Sequence, residues 1–224
     1  MGQIETVYFI VPYRDRAAHL EQFIAAIEKH AVGKYAPVFV IVEQEAGQPF
    51  NRGAMLNLGT MQVLAIDAGA TIVLHDVDML PAPTMRYKLG DYDFLHLATA
   101  ASQFDYKLPY PGYFGGVVVT TPLDMVNVGG YPMEFWGWGG EDDALLARVK
   151  QAKSNWGRVN YGRFTSLSHD RVIDRDEHKK NVFLLQAIQN GDHKTGSTIN
   201  DPNRWQLLNL KVESNVVHSL YGLR

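Results

Sequence analysis

The sequence predicts an α/β protein built on a mostly parallel sheet with helices on both faces. Three observations carry this. Short, continuously apolar runs at 6–11 (TVYFIV), 38–42 (VFVIV) and 71–74 (TIVL) lack the polar alternation of a half-exposed strand, and strands buried on both faces read this way. Helix-period patterns separate them, so strand and helix alternate. The third run leads directly into His75-Asp76-Val77-Asp78, and such sheets bind ligands beyond the carboxyl ends of their strands.

The elements follow in order. Pro12 closes the first run. Leu20, Phe23, Ile24 and Ile27 then recur at i, i+3, i+4 and i+7, the stripe of an amphipathic helix. After the second run, a polar stretch ending in Pro49 precedes a helix with Leu56, Gly59, Val63 and Ile66 on one face. The strand-end rule then gathers residues 13–16, 43–44 and 76–78 around one crevice. Later elements are less regular. Residues 94–98, 114–121 and 163–168 read as strands, and Thr121-Pro122 is a helix start with Thr as N-cap and Pro at the first position. The loop GGYPMEFWGWGG precedes a helix opening at Glu141, whose core face is Leu145, Val149 and Ala152. Its acidic triplet Glu141-Asp142-Asp143 suits the helix dipole. A polar helix is expected over 174–189, a loop over 190–204, and a closing hairpin from 207–212 and 215–221.

Composition narrows the function. The 224 residues carry 21 Lys+Arg against 24 Asp+Glu and are 46% hydrophobic, which is ordinary for a globular domain and gives no basic footprint for nucleic acid. No repeat or linker divides the chain, so residues 1–224 read as one domain. Zero cysteine excludes disulfides, thiolate metal sites and a cysteine nucleophile, and suits a reducing compartment. The N-terminal apolar run has no basic segment before it, and no stretch approaches the ~20 apolar residues of a membrane span. A soluble, cytoplasmic protein is expected.

Three constellations carry chemistry. Asp76 and Asp78 lie two apart at a strand end, where an extended backbone aims both carboxylates the same way; hard divalent cations take such oxygens together with substrate phosphates. Two further D-x-D triplets, Asp91-Tyr92-Asp93 and Asp174-Arg175-Asp176, follow no buried strand and read as solvated turns. Arg14 and Arg16 with Tyr13, and Phe50 with Arg52, offer guanidinium forks for phosphate and rings for a base, or else surface ion pairs and core rings. No Walker or G-x-G-x-x-G loop is present. Trp136-Gly137-Trp138-Gly139-Gly140 sets flat apolar faces in a pliable loop, suited to a sugar ring, with carboxylates behind it for a general base. His169 is placed to complete a metal site with Asp78, and a mixed imidazole and carboxylate set favours Mn²⁺ over Mg²⁺.

VPYRDR, FNRGAMLNLG, LHDVDMLP, YFGGVVV and FWGWGGEDD occur in that order. Together they resemble the β-1,4-galactosyltransferase family, glycosyltransferase family 7, from Val11 to Asp143 in good register and more loosely beyond. The resemblance implies a GT-A fold, with about 1–80 holding nucleotide and about 81–224 holding donor sugar and acceptor. It implies inverting transfer of a sugar, galactose above all, from a UDP-sugar to a hydroxyl of a glycan or glycolipid, with Mn²⁺, or Mg²⁺ in its place. By the same resemblance Pro12, Tyr13, Arg14, Arg16, Phe50, Asn51 and Arg52 hold the uridine diphosphate. Asp78 and His169 ligate the metal, and Asp76 sits near the ribose and donor sugar. Tyr113 and Gly116 contact the donor sugar, Trp138 closes over it, and Glu141 and Asp142 face the acceptor with Asp142 as the base.

Three features depart from the family. Ser166 and Leu167 stand where it supplies a further metal ligand. The segment after His169 is longer, which makes His178 the alternative ligand. Neither the Golgi anchor nor the disulfides of the animal enzymes are expected here, which suggests a bacterial or viral enzyme. UDP-GalNAc or UDP-glucose as donor, a non-catalytic glycan-binding protein, and a two-metal phosphoesterase on Asp76, Asp78 and Asp142 are the competing readings.

Overall fold

The computed structural model describes residues 4–169, 174–191, 198–199 and 205–223. The expected alternation forms β1 (Thr6–Tyr13), α1 (Ala17–Ala31), β2 (Ala36–Gln44), α2 (Arg52–Leu64) and β3 (Thr71–His75). There follow β4 (Met79–Pro81), β5 (Phe94–His96), a 3₁₀ turn (Ser102–Phe104), β6 (Val117–Thr120), α3 (Pro122–Asn127) and α4 (Glu141–Gln151). The chain continues as β7 (Trp156–Arg158), β8 (Phe164–Ser166), α5 (Arg175–Gln189), β9 (Trp205–Glu213) and β10 (Val216–Leu223).

Eight strands form one sheet, ordered β7-β5-β6-β3-β1-β2-β10-β9, and β4 pairs with β8 apart from it. The pairs β3-β1, β1-β2 and β2-β10 are parallel, whereas β6 and β9 run against their neighbours. The sheet is therefore mixed around a parallel centre. The expected C-terminal hairpin does form, but β10 also docks in parallel register on β2, from Val216 opposite Phe39 to Tyr221 opposite Gln44.

Both faces of the centre are buried, as continuous apolar strands require. Along β1, Val7, Phe9 and Val11 pack with Phe23 and Ile27 of α1, while Ile10 joins Leu56 and Val63 of α2 on the other face. Gly59 lets α2 lie flat on the sheet, since a Cβ there would stand 2.4 Å from Ile10 Cγ2. Several expected boundaries contract. α2 stops at Leu64, leaving Ile66 70% exposed beyond it. β6 starts at Val117 because Gly116 takes φ +84°. Ala152 is the C-cap of α4. Thr121 caps α3 as expected. Asp174 caps α5, accepting from the amides of Asp176 and Glu177, so that D-x-D triplet is a helix cap. Most of the expected 190–204 loop lies outside the described residues. Among the described residues no helix is long and apolar enough to cross a membrane.

Candidate active site

The carboxyl ends of β1 and β3 open into a cleft of about 640 Å³, walled by the loop before α4 and by α5. Strand alternation decides which β1 residues reach it. Pro12 and Arg14 line the cleft. Tyr13 points to the opposite face, buried in the α1-side core with its ring edge-on to His218. Asp15 takes φ +53°, and Arg16 again lines the cleft. Arg14 donates from Nη1 to the Gln48 carbonyl at 2.8 Å and lies over the Phe50 ring at 5.2 Å. Asn51 is fully buried: its Oδ1 accepts from the Ala54 amide to cap α2, and its Nδ2 donates to the Met133 carbonyl. Of the residues expected to hold nucleotide, Tyr13 and Asn51 alone are absent from the cleft wall.

Asp76 and Asp78 both line the cleft but take different partners, and the chain turns between them, with the Met79 amide donating to the Asp76 carbonyl at 3.2 Å. Asp78 Oδ2 faces His169 Nε2 at 2.9 Å and Arg16 Nη1 at 3.7 Å, and Arg16 Nη2 lies 3.1 Å from His169 Nδ1. The Leu167 amide donates to the Asp78 carbonyl at 2.7 Å, which ties the chain leading to His169 onto this turn. His178 instead packs its ring on Trp138 at 5.7 Å, so His169 is the imidazole beside Asp78. Burial and the neighbouring Asp76 raise the Asp78 pKa.

Asp76 belongs to a second cluster. Arg52, at the start of α2, donates from Nε to Asp76 Oδ1 at 2.6 Å and from Nη1 to Asp142 Oδ1 at 2.7 Å, with Glu141 Oε1 at 3.6 Å. A buried guanidinium needs this much opposite charge. Burial, reinforced by the adjacent Asp142, pushes Glu141 up to about 8, and Arg52 opposes that rise. Burial also raises Asp142, and Arg52 opposes that rise. Gly115 makes room for the Asp142 carboxylate: a Cβ there would stand 2.6 Å from Asp142 Oδ2 and 3.0 Å from the Tyr113 ring.

The Gly-Trp loop sorts its two indoles. Trp136 turns inward and stacks on Trp205 at 5.9 Å, while Trp138 is 48% exposed at the cleft. Gly137, Gly139 and Gly140 all have positive φ, conformations that bulkier residues resist. Tyr113 and Gly116 also line the cleft. So do Tyr110 and Asp143, which sequence reasoning did not assign; the Tyr110 hydroxyl reaches both Asp143 oxygens at 3.0 Å. The aromatic run Tyr110-Pro-Gly-Tyr113 was the signal for them.

Asp78 and His169 fit a divalent metal of the Mn²⁺ type: one carboxylate and one imidazole face an open, arginine-lined cleft. Among the described residues no group of three His, Asp or Glu forms a closed cage, so other ligands would come from a bound phosphate-bearing substrate.

Comparison with known proteins addresses the family and the fold. The family model for the N-terminal region of glycosyl transferase group 7 matches residues 3–88, and that for the N-terminal domain of galactosyltransferase matches 95–170. Human beta-1,4-galactosyltransferase 3 is 34% identical over 185 residues, 81% of this chain and 47% of its own length. The mouse beta-1,4-galactosyltransferase 2 is 32% identical over 197 residues, 83% and 51% of the two chains. The chain thus spans about half the length of the curated relatives it matches. The catalytic domain of Drosophila β1,4-galactosyltransferase 7, solved with xylobiose, superposes with TM-score 0.80 at 21% identity over 99% of this chain and 95% of its own. A mutant of that enzyme, solved with manganese, UDP-Gal and xylobiose, gives 0.76. With both halves of the family pattern spanning residues 3–170 on a GT-A sheet, the chain belongs to glycosyltransferase family 7, the β-1,4-galactosyltransferases.

Proposed function

We propose that this chain transfers galactose from UDP-galactose to a hydroxyl of an acceptor sugar, with inversion at the anomeric carbon. The observation that carries the reading is the meeting, in one cleft, of a metal-fitting pair (Asp78, His169), two cleft-lining arginines (Arg14, Arg16) and a buried carboxylate, Asp142, behind an exposed tryptophan. The Drosophila relative solved with manganese, UDP-Gal and xylobiose supports it. We read residues 1–224 as a single catalytic unit, with about 1–80 holding nucleotide and about 81–224 the two sugars. The cysteine-free composition supports a reducing, cytoplasmic setting.

Each residue then has a chemical task. Arg14 and Arg16 orient the diphosphate and offset its charge. Asp78 and His169 would hold a divalent ion, which when bound would supply Lewis-acid stabilisation of charge on the diphosphate. Asp142 accepts the acceptor hydroxyl proton as oxygen bonds to the anomeric carbon and the bond to the β-phosphate oxygen breaks, the electron pair leaving with UDP. Arg52 opposes the burial-driven rise of the Asp142 pKa and so favours its ionised form for that task. Glu141, whose protonated form burial favours, would donate a hydrogen bond to a sugar oxygen. Trp138 covers the donor and excludes water, which would otherwise be the acceptor.

The test is incubation with UDP-galactose, Mn²⁺ and an acceptor panel. Galactosylated product is expected, and Asp142→Asn should lower kcat on the order of 10²–10⁴-fold. The absence of both transfer and slow donor hydrolysis would refute the reading. A faster reaction with UDP-GalNAc or UDP-glucose would keep the chemistry and correct the donor.

A further inference from the structure

One fully buried histidine stands behind the cleft rather than in it. His75, the last residue of β3, alternates away from the cleft into the α1-side core. The ring centres of Phe23, Phe164 and Phe9 lie 4.8, 5.8 and 6.0 Å from its own. A phenyl ring would fill that shell without the cost of burying polar atoms. What an imidazole adds is two hydrogen bonds: Nδ1 lies 2.9 Å from the Asp76 carbonyl, and Nε2 lies 3.0 Å from the Tyr87 hydroxyl. The carbonyl only accepts, so Nδ1 carries a proton, and burial disfavours a second one on the ring. Nε2 therefore accepts from Tyr87, itself packed edge-on to Phe9 at 5.0 Å and to His30 at 5.5 Å.

We propose that His75 is a positioning residue: its Nδ1–H fixes the peptide between Asp76 and Val77, and so holds Asp76 on Arg52 and Asp78 beside His169, while Tyr87 fixes the ring. The proposal rests on the galactosyl-transfer reading above and adds what keeps its two aspartates in place. The lever is the peptide itself. The Asp76 amide donates to the Gly116 carbonyl at 3.0 Å, and the Asp76 carbonyl accepts from His75 Nδ1 and from the Met79 amide. The bonds on the carbonyl set ψ of Asp76 and φ of Val77, the rotations that separate the two carboxylates. The Met79 bond belongs to the turn and moves with it, whereas the imidazole is anchored in the aromatic core. Without the imidazole the turn loses its one fixed partner on that carbonyl among the described residues, and both carboxylates shift with it.

Two substitutions separate positioning from packing. His75→Phe fills the aromatic shell and removes both bonds, whereas His75→Asn leaves a void but sets an amide donor near the place of Nδ1. If His75 only packs, Phe is the better replacement in every measurement. If it positions, the urea midpoint still ranks Phe above Asn, but function ranks Asn above Phe. In transfer from UDP-galactose, His75→Phe should raise the Mn²⁺ concentration for half-maximal activity by roughly 10–100-fold, as loss of an outer-shell partner does, and His75→Asn should recover most of that. Ile27→Val, a cavity in the same core, should lower the urea midpoint and leave the Mn²⁺ requirement in place. A second readout needs neither metal nor transfer. Solvent exchange of the Arg52 Nε–H, followed by NMR, reports its 2.6 Å bond to Asp76 and should quicken about tenfold in His75→Phe and far less in His75→Asn. His75→Phe within about threefold of the parent in either readout, a functional ranking that follows stability, or a like rise in Ile27→Val overturns the proposal. If His75→Asn does not fold, Tyr87→Phe takes its place: a raised Mn²⁺ requirement with quickened exchange supports the proposal, and parent values in both overturn it. If the parent transfers no galactose, the transfer reading fails separately and the Arg52 exchange alone decides: the ranking above supports positioning, and equal rates overturn it.

Discussion

Gly115→Ala tests the placement of the base without touching it. The backbone at Gly115 tolerates a side chain, since its φ is not positive. The added Cβ would stand 2.6 Å from Asp142 Oδ2, so the carboxylate must retreat by about 0.8 Å to reach the 3.4 Å at which ordinary contact begins. Arg52 resists that retreat, holding Oδ1 at 2.7 Å. A misplacement of about 1 Å costs on the order of 10²-fold in rate, so kcat should fall by about that factor, and donor KM, measured alongside, reports the second close contact, 3.0 Å to the Tyr113 ring. The assay is steady-state transfer from UDP-galactose at saturating acceptor, with a thermal melt to confirm folding. Gly69→Ala is the control, for a Cβ there meets only Asp67 Oδ1 at 3.6 Å. A folded Gly115→Ala protein that keeps kcat within threefold of the parent (about 0.65 kcal/mol) would refute the assignment of Asp142 as a base whose position limits the reaction.

Other perturbations test the remaining groups. Because Arg52 opposes the burial-driven rise of the Asp142 pKa, Arg52→Gln should move the acid limb of kcat/KM to higher pH; an unmoved limb would separate Arg52 from the base. Asp78→Ala and His169→Ala should each raise the Mn²⁺ concentration for half-maximal activity by at least the roughly 10–100-fold that loss of an outer-shell partner costs. His178→Ala should leave it in place, and the opposite ranking would make His178 the ligand. His96 is buried, with Nε2 bonded to the Gly115 carbonyl, and burial lowers its pKa to about 4 from 6.5. Between those values the unfolded chain binds more protons, so this contribution to stability is complete above pH 6.5 and is lost as pH falls towards 4. From pH 7 to pH 5 the loss is about 2 kcal/mol. Glu141, with its raised pKa, works in the opposite sense, so the measure is the difference in urea midpoints between the parent and His96→Gln. An equal acid loss in both proteins would show that His96 does not carry it.

What was legible in the sequence was local. The apolar runs of β1, β2 and β3 declared buried strands because period and residue type follow from which faces are covered. Thr121-Pro122 declared a helix start because capping is a contact within four residues. Most of the cleft's wall was legible as well, from motifs sitting where strand ends must place them. Less was legible where a residue's role turns on the far side of the molecule. Asn51 reads as a binding residue beside Phe50 and Arg52, yet it caps α2 and holds the Met133 carbonyl. Tyr13 shares a motif with Arg14, and the pleat sends the two to opposite faces.

By itself the sequence determined the sheet-and-helix alternation, the glycine-bearing Trp loop and the acidic start of α4, since each depends on neighbours a few positions away. Only the tertiary structure decided that Asp76 and Asp78 part company at a turn, one to Arg52 and the other to His169. It also chose His169 over His178, joined Arg52 to Asp142 across 90 positions of chain, and slotted β10 beside β2. The physical reason is common to all four. A buried charge takes whichever partner packing brings within reach, and a sheet edge takes whichever strand arrives to satisfy its hydrogen bonds, and neither choice leaves a trace in local periodicity.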